Sequence, residues 1–334
     1  MGEQVRWMIT GGCGFIGTAL VSRLIAEGGN SITVLDNLSV GSREDLGRVC
    51  RFATVEADAG TGGAPGIESD VRLVVGDICD HQTALRMTRD TDVIVHLAAN
   101  TGVLRSIDNP RPDFDMNARG TFNYLEGARV NGAPRFVYAS SGAVLGSCTP
   151  PISEELPTRP VSPYGASKLA GEAYCFAYHG SYGIETIALR FGNVYGPGSG
   201  KKQSVVAKFI GQALRGETLE IYGDGRQTRD FIYIDDIIDA IYRAGTRPGI
   251  GGNAYQVASS REVCLLELTE KLLACLRGRG VNGVGVRHIE EKTGEVRRLY
   301  SDCGKAKREL GWSPAFDFDE GLVLTVDWFL RMGR

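Results

Sequence analysis

The stretch MITGGCGFIG, residues 8–17, decides how this chain is read. It leaves the apolar run VRWMIT (5–10) and opens a helical pattern from Gly14 to Glu27. Gly11, Gly14 and Gly17 recur every three residues. Glycines at a strand-to-helix turn allow a tight bend and let backbone N–H groups approach a diphosphate at the helix start. A glycine cluster alone marks many turns. Its weight comes from standing directly after the first strand of a crossover series.

Outward from that turn, β-branched runs alternate with helical patterns. SITVLD, VRLVVGD, DVIVHLAA, RFVYASS and IETIALRFGN are expected strands. TALRMTRD, MNARGTFNYLEGARVNG and Pro163 to His179 are expected helices. Such alternation predicts an α/β fold: a Rossmann-like, doubly wound parallel sheet covered on both faces. Residues 51–70 interrupt it with Gly, Ala and Asp and are expected to be a surface excursion. Beyond about Asn193 the alternation loosens. Residues 1–192 are expected to form the dinucleotide domain, with 231–255 (FIYIDDIIDAIYRAG onward) returning to it. Residues 193–230 and 256–334 are assigned to a smaller C-terminal substrate-binding domain.

Composition bounds the function. The 334 residues are 43% hydrophobic and 23% charged with net charge −3, which argues against a nucleic-acid or membrane-surface binder. The N-terminal apolar run is too short for a signal segment, making cytoplasm the expectation. Eight cysteines lack any C-x-x-C pair and four histidines form no motif, so no metal site is expected. His96, inside VIVHLAA, reads as an interior histidine.

Two further features carry chemistry. Asp36 ends the second strand, nineteen residues past Gly17. A carboxylate there can accept both hydroxyls of an adenosine ribose and repels a 2′-phosphate, which favours NAD over NADP. The bland alternative is a turn-forming aspartate. Asp77, ending the third strand, is a candidate partner for the adenine amino group. SPYGASKLAGE (162–172) sets Tyr164 one helical turn before Lys168. Helical neighbours four apart are ordinary, but an ammonium there could lower the phenol's pKa and make it a base.

With these in place, the chain resembles the extended short-chain dehydrogenase/reductases, and within them the NAD-dependent nucleotide-sugar epimerase/dehydratase family. DNLSVG, GDI, HLAA, NARGTFN, YASSGAV, YGASK, LRFGNVYGPG, IYGDGRQTRDFIYIDD and LGWSP follow in the family's order. The resemblance implies a catalytic group of Ser141, Tyr164 and Lys168, with Ser140 as the fallback hydroxyl. It places Phe15, Ile16, Asn37, Ile78 and Asn117 along the NAD, beside the glycines, Asp36 and Asp77. It implies that Asn193 and Arg229 hold a sugar-nucleotide diphosphate, most often of UDP. Val205, Leu219 and Tyr222 would wall the uracil, and a homodimer is expected through the helices of NARGTFNYLEGA and YGASKLAGEAYCFAY.

The same resemblance narrows the reaction. Dehydratases of the family carry an Asp-Glu pair where this chain has Gly142 and Ala143, and decarboxylases a glutamate at the latter. Neither residue here transfers protons, so the expected reaction is 4-epimerisation of a UDP-hexose through a 4-keto intermediate. A dehydratase or UDP-glucuronate decarboxylase is the alternative, and a non-catalytic NAD-binding sensor or scaffold the minor one. Leu299 falls where bulk at the sugar C2 is limited. The expectation leans to UDP-glucose/galactose, with N-acetylated and uronic forms open. Lys292 replaces a usual arginine, keeping charge but losing the bidentate fork, and Arg298 is its expected compensation. Leu145 replaces a common tyrosine.

Overall fold

The computed structural model describes residues 4–55, 71–202, 204–290 and 297–332. Among them, eight strands form one sheet. In chain order these are β1 (Val5–Thr10), β2 (Asn30–Asp36), β3 (Ala53–Val55), β4 (Val71–Val75), β5 (Val93–His96), β6 (Arg135–Ser141), β7 (Glu185–Phe191) and, later in the chain, Asn253–Val257. Every pairing is parallel. From β1 the chain builds outward through β2 and β4 to β3 at one edge. It then crosses back to β5 and builds the other way. The carboxyl ends of β1 and β5 therefore flank the reversal of winding, where such sheets open a crevice.

The strands are apolar throughout because both faces are covered. Alternate residues go to opposite layers. Trp7 and Ile9 join one core with Leu20, Val34 and Ile237, while Met8 joins the other with Tyr124, Phe136 and Tyr138. The first layer is covered by α1 (Phe15–Glu27) and α2 (Arg43–Gly47). The second is covered by α3 (His81–Met87), the short α4 (Val103–Asp108) and α5 (Pro110–Asp113), α6 (Thr121–Asn131) and α7 (Pro163–Tyr182). A π-helical turn, Phe114–Gly120, leads into α6.

After β7 the elements shorten. Strands β8 (Asn193–Tyr195), β9 (Leu219–Tyr222), β10 (Thr228–Arg229), β11 (Phe231–Tyr233), β13 (Val263–Cys264) and β14 (Val286–Ile289) form two-stranded sheets, and β12 is the Asn253–Val257 strand of the main sheet. Helices α8 (Val205–Leu214), α10 (Leu265–Arg277) and α11 (Phe318–Met332) surround them. Helix α9 (Ile234–Thr246) packs on α1, where Tyr242 stacks on Trp7 at 6.3 Å between centroids and lies under Arg23.

Three features differ from the sequence reading. Residues 53–55, placed in the surface excursion, are the edge strand β3; three residues are too few to show a period, and 56–70 lie outside the described residues. FIY pairs with β8, so the return to the main sheet is made by α9 and β12. That return runs to Val257, two residues past the expected boundary, because Gln256 and Val257 stay in register with Arg190 and Phe191.

Candidate active site

The glycine turn is a cradle with no room for side chains. A Cβ on Gly17 would lie 2.4 Å from the Gly11 carbonyl oxygen and 2.5 Å from Gly12 Cα. Gly11 has φ +72°, and a Cβ there would meet the Ala98 backbone at 2.8 Å. The first turn of α1 consequently presses against the end of β1, and Gly14 at its start has no side chain to cap it. Asp36 braces the turn. Its Oδ2 accepts from the Cys13 N–H at 3.0 Å and its Oδ1 from Leu38 N–H at 2.8 Å. Burial raises its pKa, and those two bonds oppose the rise. Two acceptor sites are thereby committed, and the carboxylate still lines the cleft.

Gly11, Gly14, Phe15, Ile16, Gly17, Asp36, Asn37 and Ile78 all line one cleft of roughly 2350 Å³. That volume exceeds an ordinary small-ligand pocket of about 300–1,000 Å³ and suits two ligands side by side. Asp77 stands outside the lining, where it accepts from Asn37 Nδ2 at 3.2 Å and from Cys79 N–H at 2.8 Å. Burial alone would raise its pKa, but these bonds hold it below the usual carboxylate range.

Across the cleft, Ser141 ends β6 and caps the following turn, its Oγ accepting from Ala143 N–H at 3.2 Å. Tyr164 and Lys168 come from the first turns of α7. Ser162 starts that helix by accepting from Gly165 N–H at 3.1 Å, with Pro163 at its first position. The Tyr164 N–H, one of the donors a helix start leaves unpaired, donates to Ser106 Oγ on α4 at 3.0 Å. The Ser141 side chain lies beside the Tyr164 phenol and favours its ionised form. Lys168 Nζ donates to the Ala139 carbonyl at 2.8 Å and lies 5.0 Å over the Tyr138 ring.

Burial works against the phenolate form. It pushes the Tyr164 phenol up to about 12, against the neighbouring Ser141 hydroxyl and with help from the Asp113 charge. The Lys168 ammonium donates to the Ala139 carbonyl and does not offset that burial. Burial in turn pushes Lys168 down to about 8, with Asp113 and Glu172 opposing. His96 is interior, as read. Its Nδ1 shares a hydrogen bond with Thr10 Oγ1 at 2.9 Å, and burial drives its pKa down to about 3.

Several residues sit elsewhere than expected. Asn117 is buried behind the wall. Its Oδ1 accepts from Asn100 N–H at 2.8 Å and its Nδ2 donates to Asn100 O, Asp113 and Ser167, which fastens the loop after β5 to α5 and α7. Leu219 faces the core with no exposure; strand alternation gives the cleft to its neighbours Glu220 and Tyr222. Arg298 spends its fork on Glu262, 2.7 Å to each oxygen, and does not line the cleft. Lys292 lies outside the described residues. Ser140, the fallback hydroxyl, donates to buried Glu172 at 2.5 Å, on the opposite face of β6 from Ser141.

The remaining substrate-side residues do meet in the cleft: Asn193, Val205, Tyr222, Arg229 and Leu299 line it. Leu299 packs on a small cluster of Val144, Leu145 and Ile152, which makes Leu145 a core residue. Three contributors escaped the sequence reading: Ser106, Glu172 and Lys202. Half-buried Lys202 faces the cleft, donates to the Val194 carbonyl at 2.8 Å, lies 5.6 Å over the Phe15 ring, and is pushed by burial down to about 8. Its place in GKKQS carried no periodic signal, whereas Glu172, four residues past Lys168, could have been found from helical spacing.

A dinucleotide cradle at the winding reversal, facing a tyrosine–lysine helix across one cleft, is the plan of an extended short-chain dehydrogenase/reductase. Within that class the chain belongs to the NAD dependent epimerase/dehydratase family, whose sequence pattern matches residues 7–258. It is 35% identical to a UDP-glucose 4-epimerase of Mycolicibacterium smegmatis, over 97% of this chain and 98% of that one. Among solved structures it resembles a UDP-glucose 4-epimerase of Thermotoga maritima with UDP-glucose, at TM-score 0.86 and 30% identity, covering 99% and 100% of the two chains. It equally resembles a dTDP-glucose 4,6-dehydratase of Streptomyces venezuelae with NAD bound, at TM-score 0.84 and 33% identity, covering 98% and 97%. The protein is thus an NAD-dependent enzyme of the epimerase/dehydratase type. The side-chain-free turn and the carboxylate of Asp36 fit that cofactor. Among the described residues, no helix is long and apolar enough to cross a membrane.

Proposed function

We propose that the enzyme inverts C4 of a UDP-hexose by oxidising and re-reducing that carbon. One observation carries this choice over dehydration. Gly142 and Ala143, which follow Ser141 on the cleft wall, offer no acid. The carboxylates that do line the cleft, among the described residues, are Asp36, Asp45, Glu220, Asp230 and Asp235, and none belongs to β6 or α7. Removing water across C5–C6 needs a proton acceptor and donor beside those carbons. Returning hydride to C4 needs neither.

Bound NAD supplies the carbon that accepts hydride and later gives it back. The chain's own part is proton control. Tyr164 takes the C4 hydroxyl proton and Ser141 hydrogen-bonds the same oxygen. A phenol near 12 is neutral at pH 7, so the base form depends on positive charge close by; Lys168 is the group of this chain that supplies it. Asn193 and Arg229 would anchor the diphosphate while the sugar turns to present its other face. A strong anchor and a loosely held sugar suit that inversion.

Leu299 supports glucose and galactose as the sugars, with some room for an N-acetyl group. Exposed Phe114, Tyr174 and Tyr182 beside the helices α6 and α7 support a homodimer, which sedimentation velocity would test. The reaction is tested by incubating the protein with UDP-glucose, UDP-galactose, UDP-N-acetylglucosamine and UDP-glucuronate and following anomeric protons by NMR. C4 epimers formed from both directions are expected. A stable 4-keto product would make it a dehydratase, carbon dioxide release a decarboxylase, and no new sugar a scaffold.

A further inference from the structure

Tyr164, Lys168 and Glu172 follow one another at four-residue intervals down the face of α7 that meets β6 and β7. Lys168 is tied to β6 at the Ala139 carbonyl. Glu172, with no exposure, is tied to the next residue of β6, Ser140, at 2.5 Å. It also takes the Arg190 fork of β7, Nε to Oε1 at 2.9 Å and Nη2 to Oε2 at 2.8 Å. Ser140 and Arg190 are register partners across β6 and β7, so both reach Glu172 from adjacent strands. We infer that Glu172 is a positioning residue: held by Ser140 and Arg190, it seats Lys168 one turn upstream and keeps that lysine an ammonium while Tyr164 acts as base.

The inference rests on the reading of Tyr164 as base. A buried ion pair is weak evidence for stability, since an apolar pair can serve as well. Here the pair has a neighbour whose charge matters. The charged and titratable groups that bear on Lys168 are Asp113 from α5, Glu172 from α7, Tyr138 from β6 and the neutral His96 from β5, with Arg190 of β7 reaching it through Glu172, and Tyr164 stands one helical turn upstream. Asp113 already serves Ser167 and Asn117. Glu172 is the negative charge on the helix of Lys168 itself, and it opposes the effect of burial. Without it, Arg190 becomes an uncompensated positive charge in the same layer.

The test reads the lysine directly. In the NAD-loaded Tyr164→Phe protein, ¹³Cε-lysine NMR follows Lys168 free of coupling to the phenol, and Lys168→Arg assigns its signal. Glu172→Gln is expected to lower the Lys168 midpoint by about one pH unit or more, and Glu172→Asp, which keeps the charge, by less. With Tyr164 intact, Glu172→Gln moves the alkaline limb of kcat/KM the same way. If Glu172→Gln does not fold, Glu172→Gln/Arg190→Gln removes both charges and is expected to shift the midpoint in the same direction by less. An unmoved midpoint in the variant that folds overturns the inference. That result is independent of turnover, whereas wild-type protein that makes no C4 epimer overturns the proposed reaction alone.

Discussion

Along one wall of the cleft the catalytic groups sit at a strand end or in the first two turns of a helix, on an eight-stranded parallel sheet. Along the other, Asn193, Tyr222, Arg229 and Leu299 ride on strands of two to four residues or on connecting chain. That second wall is drawn together by one buried carboxylate. Asp230 accepts from Ser259 N–H and Oγ, Ser260 N–H and Ser301 N–H, at 2.6–3.1 Å. Groups held by a sheet keep the alignment that proton and hydride transfer demand. Loops held by a single hub can change their side chains without disturbing the sheet. The contrast explains how one chain can be about equally similar to a UDP-glucose epimerase and a dTDP-glucose dehydratase.

If the contrast is right, changes on the sheet wall are nearly all-or-none and changes on the loop wall are graded. Tyr164→Phe should lower turnover by about 10³-fold or more while NAD stays bound, measured by product NMR and by the absorbance of the released cofactor. Turnover near wild type would remove the phenol from the chemistry. Gly17→Ala should cost about 1–3 kcal/mol or more through its clash with the Gly11 carbonyl, with NAD content falling in the purified protein. Full NAD occupancy and an unchanged melting temperature would show the turn to be roomier than its geometry.

Smaller effects sharpen the comparison. Asp36→Ala should narrow the preference for NAD over NADP by about tenfold, read by competitive reconstitution; unchanged preference would detach Asp36 from the ribose. On the loop wall, Leu299→Gly and Leu299→Tyr should shift kcat/KM for UDP-N-acetylglucosamine relative to UDP-glucose in opposite directions, by about tenfold or less. Loss of all activity in either variant would erase the distinction between the walls.

The two walls also differ in how legible they were. The glycine turn, Asp36 and Tyr164–Lys168 could be located because spacing along a strand-to-helix turn and along a helix fixes where side chains meet. Leu219 was misplaced by one residue of strand alternation, which a four-residue strand gives too little pattern to fix. Asn117 was placed near the cofactor, yet its amide is spent on Asn100, Asp113 and Ser167, partners 4 to 50 residues away. Where the Lys168 ammonium turns was not legible, because helical spacing says which groups are neighbours but not that this one donates to the Ala139 carbonyl. Edge strand β3 was hidden by its length, and Ser106 by a loop whose short helix shows no periodicity.

The central claim is that hydride leaves and returns to the same sugar carbon. A UDP-hexose carrying deuterium at C4 tests it most directly, with ²H NMR of the recovered products. The account predicts deuterium at C4 of both epimers. Deuterium at C6 of a 4-keto-6-deoxy sugar, or its loss to solvent, would contradict it.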